Sequence, residues 1–91
     1  MSHRHQALTR FGLNVRRRRE AIGLSQEALA EKAELDRTYI SGIERGTRNP
    51  TILSAARVAA ALKTSLAQLV NVAIKGSGVR PRNVQERRNT R

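Results

Sequence analysis

Residues 23–50 read GLSQEALAEKAELDRTYISGIERGTRNP, and this stretch predicts two short helices with little chain between them. The first helix is expected over residues 26–33, with Ser25 as the N-cap whose hydroxyl accepts a backbone N–H. The second is expected over residues 37–45, with Asp36 in the same capping position. So short a break forces the two helices to cross at a steep angle.

The second helix of this pair is predicted to have a slim, polar outer face. Arg37 and Thr38 stand at its N-terminal end, and Ser41 and Gly42 follow on the same face. A helix fits the DNA major groove only when its exposed face is slim and its leading end carries polar groups. The stretch therefore predicts a helix-turn-helix unit with residues 37–45 as the recognition helix.

The rest of the chain also predicts helices, because apolar residues recur with helical spacing and no segment alternates as a half-buried strand would. These helices are expected over residues 9–22, 52–62 and 65–74. Their N-caps are expected at Thr9, Thr51 and Ser65. The inner face of the helix over 52–62 is expected to carry Leu53, Ala56, Ala59, Ala60 and Leu62. The predicted fold is all-α, a compact bundle of five short helices with a central helix-turn-helix.

The pattern divides the chain into three parts. Residues 1–7 are expected to form a flexible N-terminus, residues 8–75 the helix-turn-helix DNA-binding domain, and residues 76–91 a disordered basic tail. The tail opens with glycine and serine, and it is basic and poor in apolar residues. The sequence leaves open whether this tail contacts DNA or only adds solubility.

Charge is the strongest signal in the composition, since 18 Lys and Arg against 7 Asp and Glu give a net charge of +11. Such an excess favours a polyanionic partner, either nucleic acid or an anionic membrane surface, and the alternative is solubility alone. The absence of cysteine excludes disulfides and thiolate metal sites. No apolar run approaches the ~20 residues of a membrane span, and no signal peptide is visible. We expect no membrane association and a cytoplasmic location.

Catalytic and metal-binding patterns are not found in the sequence. The carboxylates are scattered, and there is no Ser/His/Asp grouping and no phosphate-cradling glycine loop. His3 and His5 lie in the expected flexible terminus without further ligands. The run Arg16–Arg19 is interpreted as a solvated helix face with one structural arginine, from which Arg16 or Arg17 could reach a phosphate. We expect neither enzyme activity nor a cofactor or metal.

Two segments resemble the signature of the Xre/Cro-like regulators, the family of the lambda-type phage repressors. They are GLSQEALA at residues 23–30 and ISGIERGTRNP at residues 40–50, and the resemblance covers about residues 8–70. The segment LDRTYISGIER at residues 35–45 is also similar to controller proteins of restriction-modification systems. The family position held by Glu34 is usually glycine, which leaves the shape of the turn before the second helix in doubt.

The resemblance implies a set of residues that contact DNA. Gln26 matches a residue that binds a phosphate, and Arg37 and Thr38 match the positions that read bases. Arg37 is expected to contact a guanine bidentately, which is worth about 1–3 kcal/mol of discrimination. Tyr39 is expected near the DNA backbone, with Ser41 and Gly42 against the groove. Phosphate contacts are expected from Arg45, Thr47, Arg48 and Asn49.

Two further features are expected from the resemblance and from the surplus of apolar residues. Arg19 and Glu44 match a buried ion pair that ties the first helix to the end of the third. A dimer interface is expected at Leu66, Leu69, Val70 and Val72.

These observations predict a transcriptional regulator that binds double-stranded operator DNA as a homodimer, one recognition helix to each half-site. One alternative is an antitoxin that binds a toxin protein through the tail or the last helix and regulates its own operon. The other is non-specific DNA compaction, against which the shaped face of the recognition helix argues.

Overall fold

The computed structural model describes residues 3–75, with side chains described from residue 6 to residue 70. This part of the chain is built from five α helices and contains no strand. The helices are α1 (His3–Ala21), α2 (Gln26–Ala33), α3 (Arg37–Arg45), α4 (Ile52–Ala61) and α5 (Leu66–Lys75). The predicted all-helical bundle is confirmed. None of these helices is long and apolar enough to cross a membrane.

The expected N-caps of three helices are formed by hydroxyl side chains. Ser25 accepts the N–H of Ala28 at 3.0 Å, which begins α2. Thr51 begins α4 in the same way, and the Ser65 hydroxyl accepts the N–H of Gln68 at the start of α5. These bonds satisfy N–H groups that have no partner inside a helix. They explain why these three helices begin close to the predicted residues.

The start of α1 differs from the prediction. The helix begins at His3, so residues 3–7 form its first turns and Thr9 lies inside it instead of capping it. The reason is local, since residues 3–8 contain no glycine or proline to stop a helix, and Leu8 is half-buried. Residues 1 and 2 and the predicted tail over 76–91 lie outside the described residues.

The core lies among the five helices, and aliphatic side chains dominate it. α1 packs against α3 and α5, while α2 packs against α3 and α4. The buried apolar residues are Phe11, Val15, Leu29, Ala30, Ala33, Ile40, Ile43, Ala55, Val58, Ala59, Leu62 and Leu69.

The inner face of α4 is not the one expected. Ala59 and Leu62 are buried as predicted, but Leu53, Ala56 and Ala60 are exposed. The buried stripe consists of Ala55, Val58, Ala59 and Leu62. Positions 55, 58, 59 and 62 share one face of a helix, and position 53 lies on the opposite face, so Leu53 is exposed when α4 packs on α2 through this stripe.

α1 and α3 approach closely at Gly12. A Cβ atom at this position would lie 2.1 Å from the carbonyl oxygen of Ile43 and 2.8 Å from that of Glu44. Only glycine permits such an approach of two backbones. On the same helix, the buried Asn14 side chain donates to the carbonyl oxygen of Leu69 and ties α1 to α5. Contacts with α1 therefore fix the position of α3.

Candidate nucleic-acid interface

The turn between α2 and α3 sets the direction in which α3 leaves the domain. Glu34 adopts the left-handed conformation there, with φ 59° and ψ 44°, and its N–H donates to the carbonyls of Ala30 and Glu31. A side chain in this conformation costs about 1 kcal/mol relative to glycine. The turn therefore keeps the left-handed geometry that suits glycine although the residue is glutamate.

A buried ion pair joins α1 to the end of α3, as expected from the resemblance. Arg19 Nε donates to Glu44 Oε2 at 2.6 Å, and its Nη2 donates to Oε1 at 3.0 Å. The two side chains are 11% and 4% exposed. The hydrogen bond to Glu44 raises the pKa of Arg19 further above its ordinary value, although burial acts in the opposite direction. This bidentate geometry holds α3 in one orientation.

Gln26 is attached to the same ion pair. Its Nε2 donates to Glu44 Oε1 at 3.0 Å, and the side chain is half-buried at the first residue of α2. The bond orients the amide before any ligand arrives. A polar cleft lies in front of it, lined by Arg19, Ser25, Gln26, Glu27 and Arg37. The structure thus brings together two predicted DNA-contacting residues, Gln26 and Arg37, from different helices.

The leading end of α3 is exposed to solvent. Arg37 and Thr38 are both exposed, and the Thr38 hydroxyl donates to the carboxylate of Asp36. Asp36 occupies the N-cap position in extended conformation, as predicted, but its side chain accepts no backbone N–H of α3. Its carboxylate bonds to Thr38 instead. Sequence reasoning missed this contact because it treated Asp36 only as a cap.

Arg45 and Arg48, which follow the leading end of α3, contact side chains nearby on the protein surface. Arg45 Nη1 donates to Ser41 Oγ at 2.8 Å, one turn earlier on α3. The Arg48 guanidinium lies 4.9 Å from the centroid of the Tyr39 ring, a cation–π distance. Both arginines are exposed, whereas Ser41 and Tyr39 are half-buried, so these surface contacts contribute little to stability. The predicted phosphate-contacting residues Thr47 and Asn49 are exposed as well.

The prediction that Gly42 lies against the groove is wrong. Gly42 is buried, because the chain after α3 folds back over it. Its carbonyl accepts the N–H groups of Thr47 at 2.9 Å and Arg48 at 3.2 Å. A Cβ atom here would lie 2.7 Å from Arg48 Cγ. The missing side chain makes room for Arg48, which is thereby placed beside Tyr39.

The arginine run on α1 contains two structural residues instead of the expected one. Arg18 Nε donates to the carbonyl of Leu62 at 2.9 Å, and its Nη2 donates to that of Lys63 at 3.1 Å. These carbonyls belong to the C-cap of α4 and to the residue after it, where no helical N–H follows to bond them. Arg16 forms an exposed ion pair with Glu20 at 3.1 Å. Because Arg16 and Arg18 are engaged in these bonds, the exposed Arg17 is the better candidate in the run for a phosphate contact.

The predicted dimer residues fall into different environments. Leu69 is only 3% exposed and belongs to the core, so its assignment to an interface is wrong. It faces inward because α5 packs on α1. Leu66 and Val70 are half-buried, and the side chain of Val72 lies outside the described residues. Among the side chains described from residue 6 to residue 70, sequence reasoning missed the most exposed large apolar ones, which are Ile52 at 78% and Leu53 at 63%.

No described part of this surface resembles a metal centre, since residues 3–75 contain no group of three His, Cys, Asp or Glu side chains suited to an ion.

The fold and the exposed leading end of α3 define a helix-turn-helix protein. Residues 15–69 match the sequence profile of the helix-turn-helix family, which is more than half of the chain. The protein belongs to this family.

Among its relatives are control proteins. The chain is 41% identical over 61 residues to control protein C.MunI of a Mycoplasma species, covering 66% of this chain and 82% of the relative. It is 47% identical over 57 residues to control protein C.SmaI of Serratia marcescens, covering 63% of this chain and 68% of the relative.

Solved structures of controller proteins have the same fold. The restriction-modification controller protein C.AhdI of Aeromonas hydrophila matches with 44% identity and a TM-score of 0.67, covering 68% of this chain and 94% of that protein. The wild-type controller protein C.Esp1396I matches with 37% identity and a TM-score of 0.71, covering 87% of this chain and 100% of that protein. C.Esp1396I has been solved on a 19 base pair DNA duplex, and as a tetramer on its natural 35 base pair operator.

Proposed function

We propose that this protein is a transcriptional regulator that binds operator DNA as a homodimer with α3 in the major groove. The observation that carries the proposal is the exposed pair Arg37 and Thr38 at the leading end of a helix held by the Arg19–Glu44 ion pair. A helix held in one orientation, with exposed polar side chains at its leading end, is suited to reading base edges. The operator complexes of C.Esp1396I support the same role. The proposal includes no catalytic activity and places the protein in the cytoplasm with the genome.

Phosphate contacts would set the position of the protein on DNA. Gln26 is the best-prepared group for this role, because its amide is already oriented by Glu44 and it lies at the positive end of α2. The further phosphate contacts proposed are Arg45, Thr47, Arg48 and Asn49, with Tyr39 and Ser41 holding two of these arginines. Such contacts carry no sequence information. Discrimination between bases is therefore assigned to the first turn of α3.

The dimer interface is proposed on α4 and α5. Leu66 and Val70 line an apolar groove together with Leu8, Phe11 and Ile52. Ile52 and Leu53 project from the rim at 78% and 63% exposure. Adjacent exposed apolar side chains beside an apolar groove are suited to burial against a second copy of the chain. The interface proposed from the sequence is thus extended from Leu66, Val70 and Val72 to Ile52 and Leu53.

Changing Leu53 to Asp tests the dimer. The charge would have to be buried without a partner, so the variant should sediment as a monomer while the unaltered chain sediments as a dimer. Leu53 is exposed in the single chain, so the helical circular dichroism of the variant should be unchanged. Gln68→Asp, at an exposed polar site on α5, is the control and should remain dimeric. A dimeric Leu53→Asp would contradict this interface.

The regulator itself is tested by binding to the DNA directly upstream of its own gene. Fluorescence anisotropy at about 150–200 mM salt should show much tighter binding to this duplex than to a scrambled duplex of equal composition. Arg37→Ala should weaken binding to the upstream duplex and leave the scrambled one nearly unchanged. Lys32→Ala removes one positive charge outside the proposed interface and serves as the control. Equal affinity of the unaltered chain for both duplexes would instead indicate DNA compaction.

The antitoxin alternative depends on α5 and on the tail, and the tail lies outside the described residues. No observation on the described surface favours it over the regulator.

A further inference from the structure

We propose that Asp36 and Thr38 act together as an acceptor pair, which selects adenine or cytosine at the position next to the guanine read by Arg37. The inference rests on the proposed function, because it assigns a second base preference to the same end of α3. It adds Asp36, which neither the sequence pattern nor the resemblance had placed among the DNA-contacting residues.

The unusual feature is the behaviour of the Asp36 side chain. An aspartate at an N-cap ordinarily accepts a backbone N–H from the first turn of its helix. Asp36 has the extended backbone of an N-cap, yet its carboxylate makes no such bond. It accepts the hydroxyl proton of Thr38 instead. The carboxylate therefore faces the exposed edge of the first turn, where Thr38 lies.

This bond determines which hydrogen bonds Thr38 can still make. A threonine hydroxyl has one proton to donate and two lone pairs that accept. While the Thr38 proton is donated to Asp36, the oxygen of Thr38 can only accept from a further partner. The ionised carboxylate of Asp36 also accepts only. Both side chains are exposed, so together they present a negatively charged surface with acceptors and no donor.

The major groove offers a matching difference between bases. Adenine presents the N6 amine and cytosine presents the N4 amine, whereas guanine O6 and thymine O4 are acceptors. An acceptor pair gains a hydrogen bond from either amine. Opposite guanine O6 or thymine O4, the acceptor pair would lose its water without gaining a hydrogen bond, and it would repel the carbonyl oxygen of the base. The pair therefore selects by attraction and by repulsion, a combination typical of strong discrimination.

Arg37 lies between the two acceptors in the sequence and has the opposite chemistry. Its guanidinium carries five donors and no acceptor, which suits the O6 and N7 atoms of guanine. The first turn of α3 thus presents an acceptor, a donor and an acceptor at three consecutive residues. We assign the donor to guanine and the acceptor pair to an adenine or cytosine in the neighbouring base pair.

The test is selection of binding sites from a pool of DNA duplexes with about 20 random base pairs, long enough for two half-sites one helical turn apart. The pool is selected separately with the unaltered chain, Arg37→Ala, Asp36→Asn and Thr38→Val. Asparagine keeps an N-cap residue at position 36, and valine keeps the shape of threonine. Glu31→Gln removes an exposed carboxylate on α2 and controls for the change in charge. Circular dichroism melting checks that every variant folds.

The unaltered chain should enrich one guanine in each half-site that Arg37→Ala no longer selects. The neighbouring position should favour adenine or cytosine over guanine or thymine by about tenfold. Asp36→Asn and Thr38→Val should both reduce this preference to about twofold or less, at that position only. Glu31→Gln should enrich the same sequences as the unaltered chain.

Two results overturn the inference alone. One is enrichment of guanine or thymine at the neighbouring position by the unaltered chain. The other is a full preference retained by Asp36→Asn while Thr38→Val loses it, since Thr38 would then act without Asp36. Failure of the unaltered chain to enrich any sequence would instead overturn the proposed function, and the inference with it. The two failures are thus distinguishable.

Discussion

The two sides of α3 are held in place in different ways. Its inner side is fixed by contacts with residues far away in the sequence, namely the Arg19–Glu44 ion pair and the backbone approach at Gly12. Its outer side has only short-range contacts between exposed groups, such as Thr38 with Asp36 and Arg45 with Ser41. Buried long-range contacts stabilise the fold, whereas exposed local contacts contribute little to stability. Changes on the inner side should therefore alter folding, and changes on the outer side should alter binding.

Removal of Glu44 should have the largest effect on stability. Glu44→Ala leaves the charge of Arg19 buried without its partner and also frees Gln26. Loss of one partner of a buried pair costs about 3–5 kcal/mol of unfolding free energy. Urea denaturation followed by circular dichroism measures this loss. Glu31→Ala, at an exposed position of α2, is the control and should change stability by about 0.5 kcal/mol or less. Equal stability of the two variants would show that the Arg19–Glu44 ion pair does not stabilise the fold.

Gly12→Ala should have the next largest effect. The new Cβ would lie 2.1 Å from the carbonyl oxygen of Ile43, so α1 and α3 would have to move apart. Such overpacking costs about 3 kcal/mol, measurable by the same denaturation experiment. Gly23→Ala is the matched control, because nothing lies within 4 Å of its Cβ position and only its φ of +76° opposes the change. That control should cost about 1 kcal/mol. If both variants lost the same stability, the close approach of the helices would be disproved.

Glu34→Gly should have the smallest effect, and the opposite sign. Glycine relieves the left-handed conformation of the turn between α2 and α3 but increases the freedom of the unfolded chain. The net gain should be about 0.5 kcal/mol or less in unfolding free energy, with DNA binding unchanged. Lys63→Gly, at the other left-handed non-glycine residue of the described chain, should gain a similar amount. A loss of stability in both would show that neither residue is strained.

The helices could be predicted from the sequence because their signals are local. Ser25 and Thr51 cap their helices as expected, and the apolar spacing predicts all five helices. The errors concern residues whose environment depends on distant chain. Gly42 is buried only because the following loop folds over it, and Leu69 faces inward only because α5 packs on α1.

In the candidate site, too, the exposed positions could be predicted from the sequence but the contacts between side chains could not. Arg37 and Thr38 are exposed at the leading end of α3, where the sequence places them. The bond from Thr38 to Asp36 and the bond from Gln26 to Glu44 could not be predicted, because spacing does not determine which side-chain atoms meet.

Methylation interference tests the central claim most directly. Methylation of guanine N7 blocks the major-groove edge that Arg37 is proposed to contact. The upstream duplex is partially methylated, and bound and free fractions are compared for the unaltered chain and for Arg37→Ala. We predict one guanine in each half-site whose methylation prevents binding of the unaltered chain but no longer affects binding of Arg37→Ala. Interference at the same guanines in both proteins, or at none, would contradict the assignment of α3 as the recognition helix.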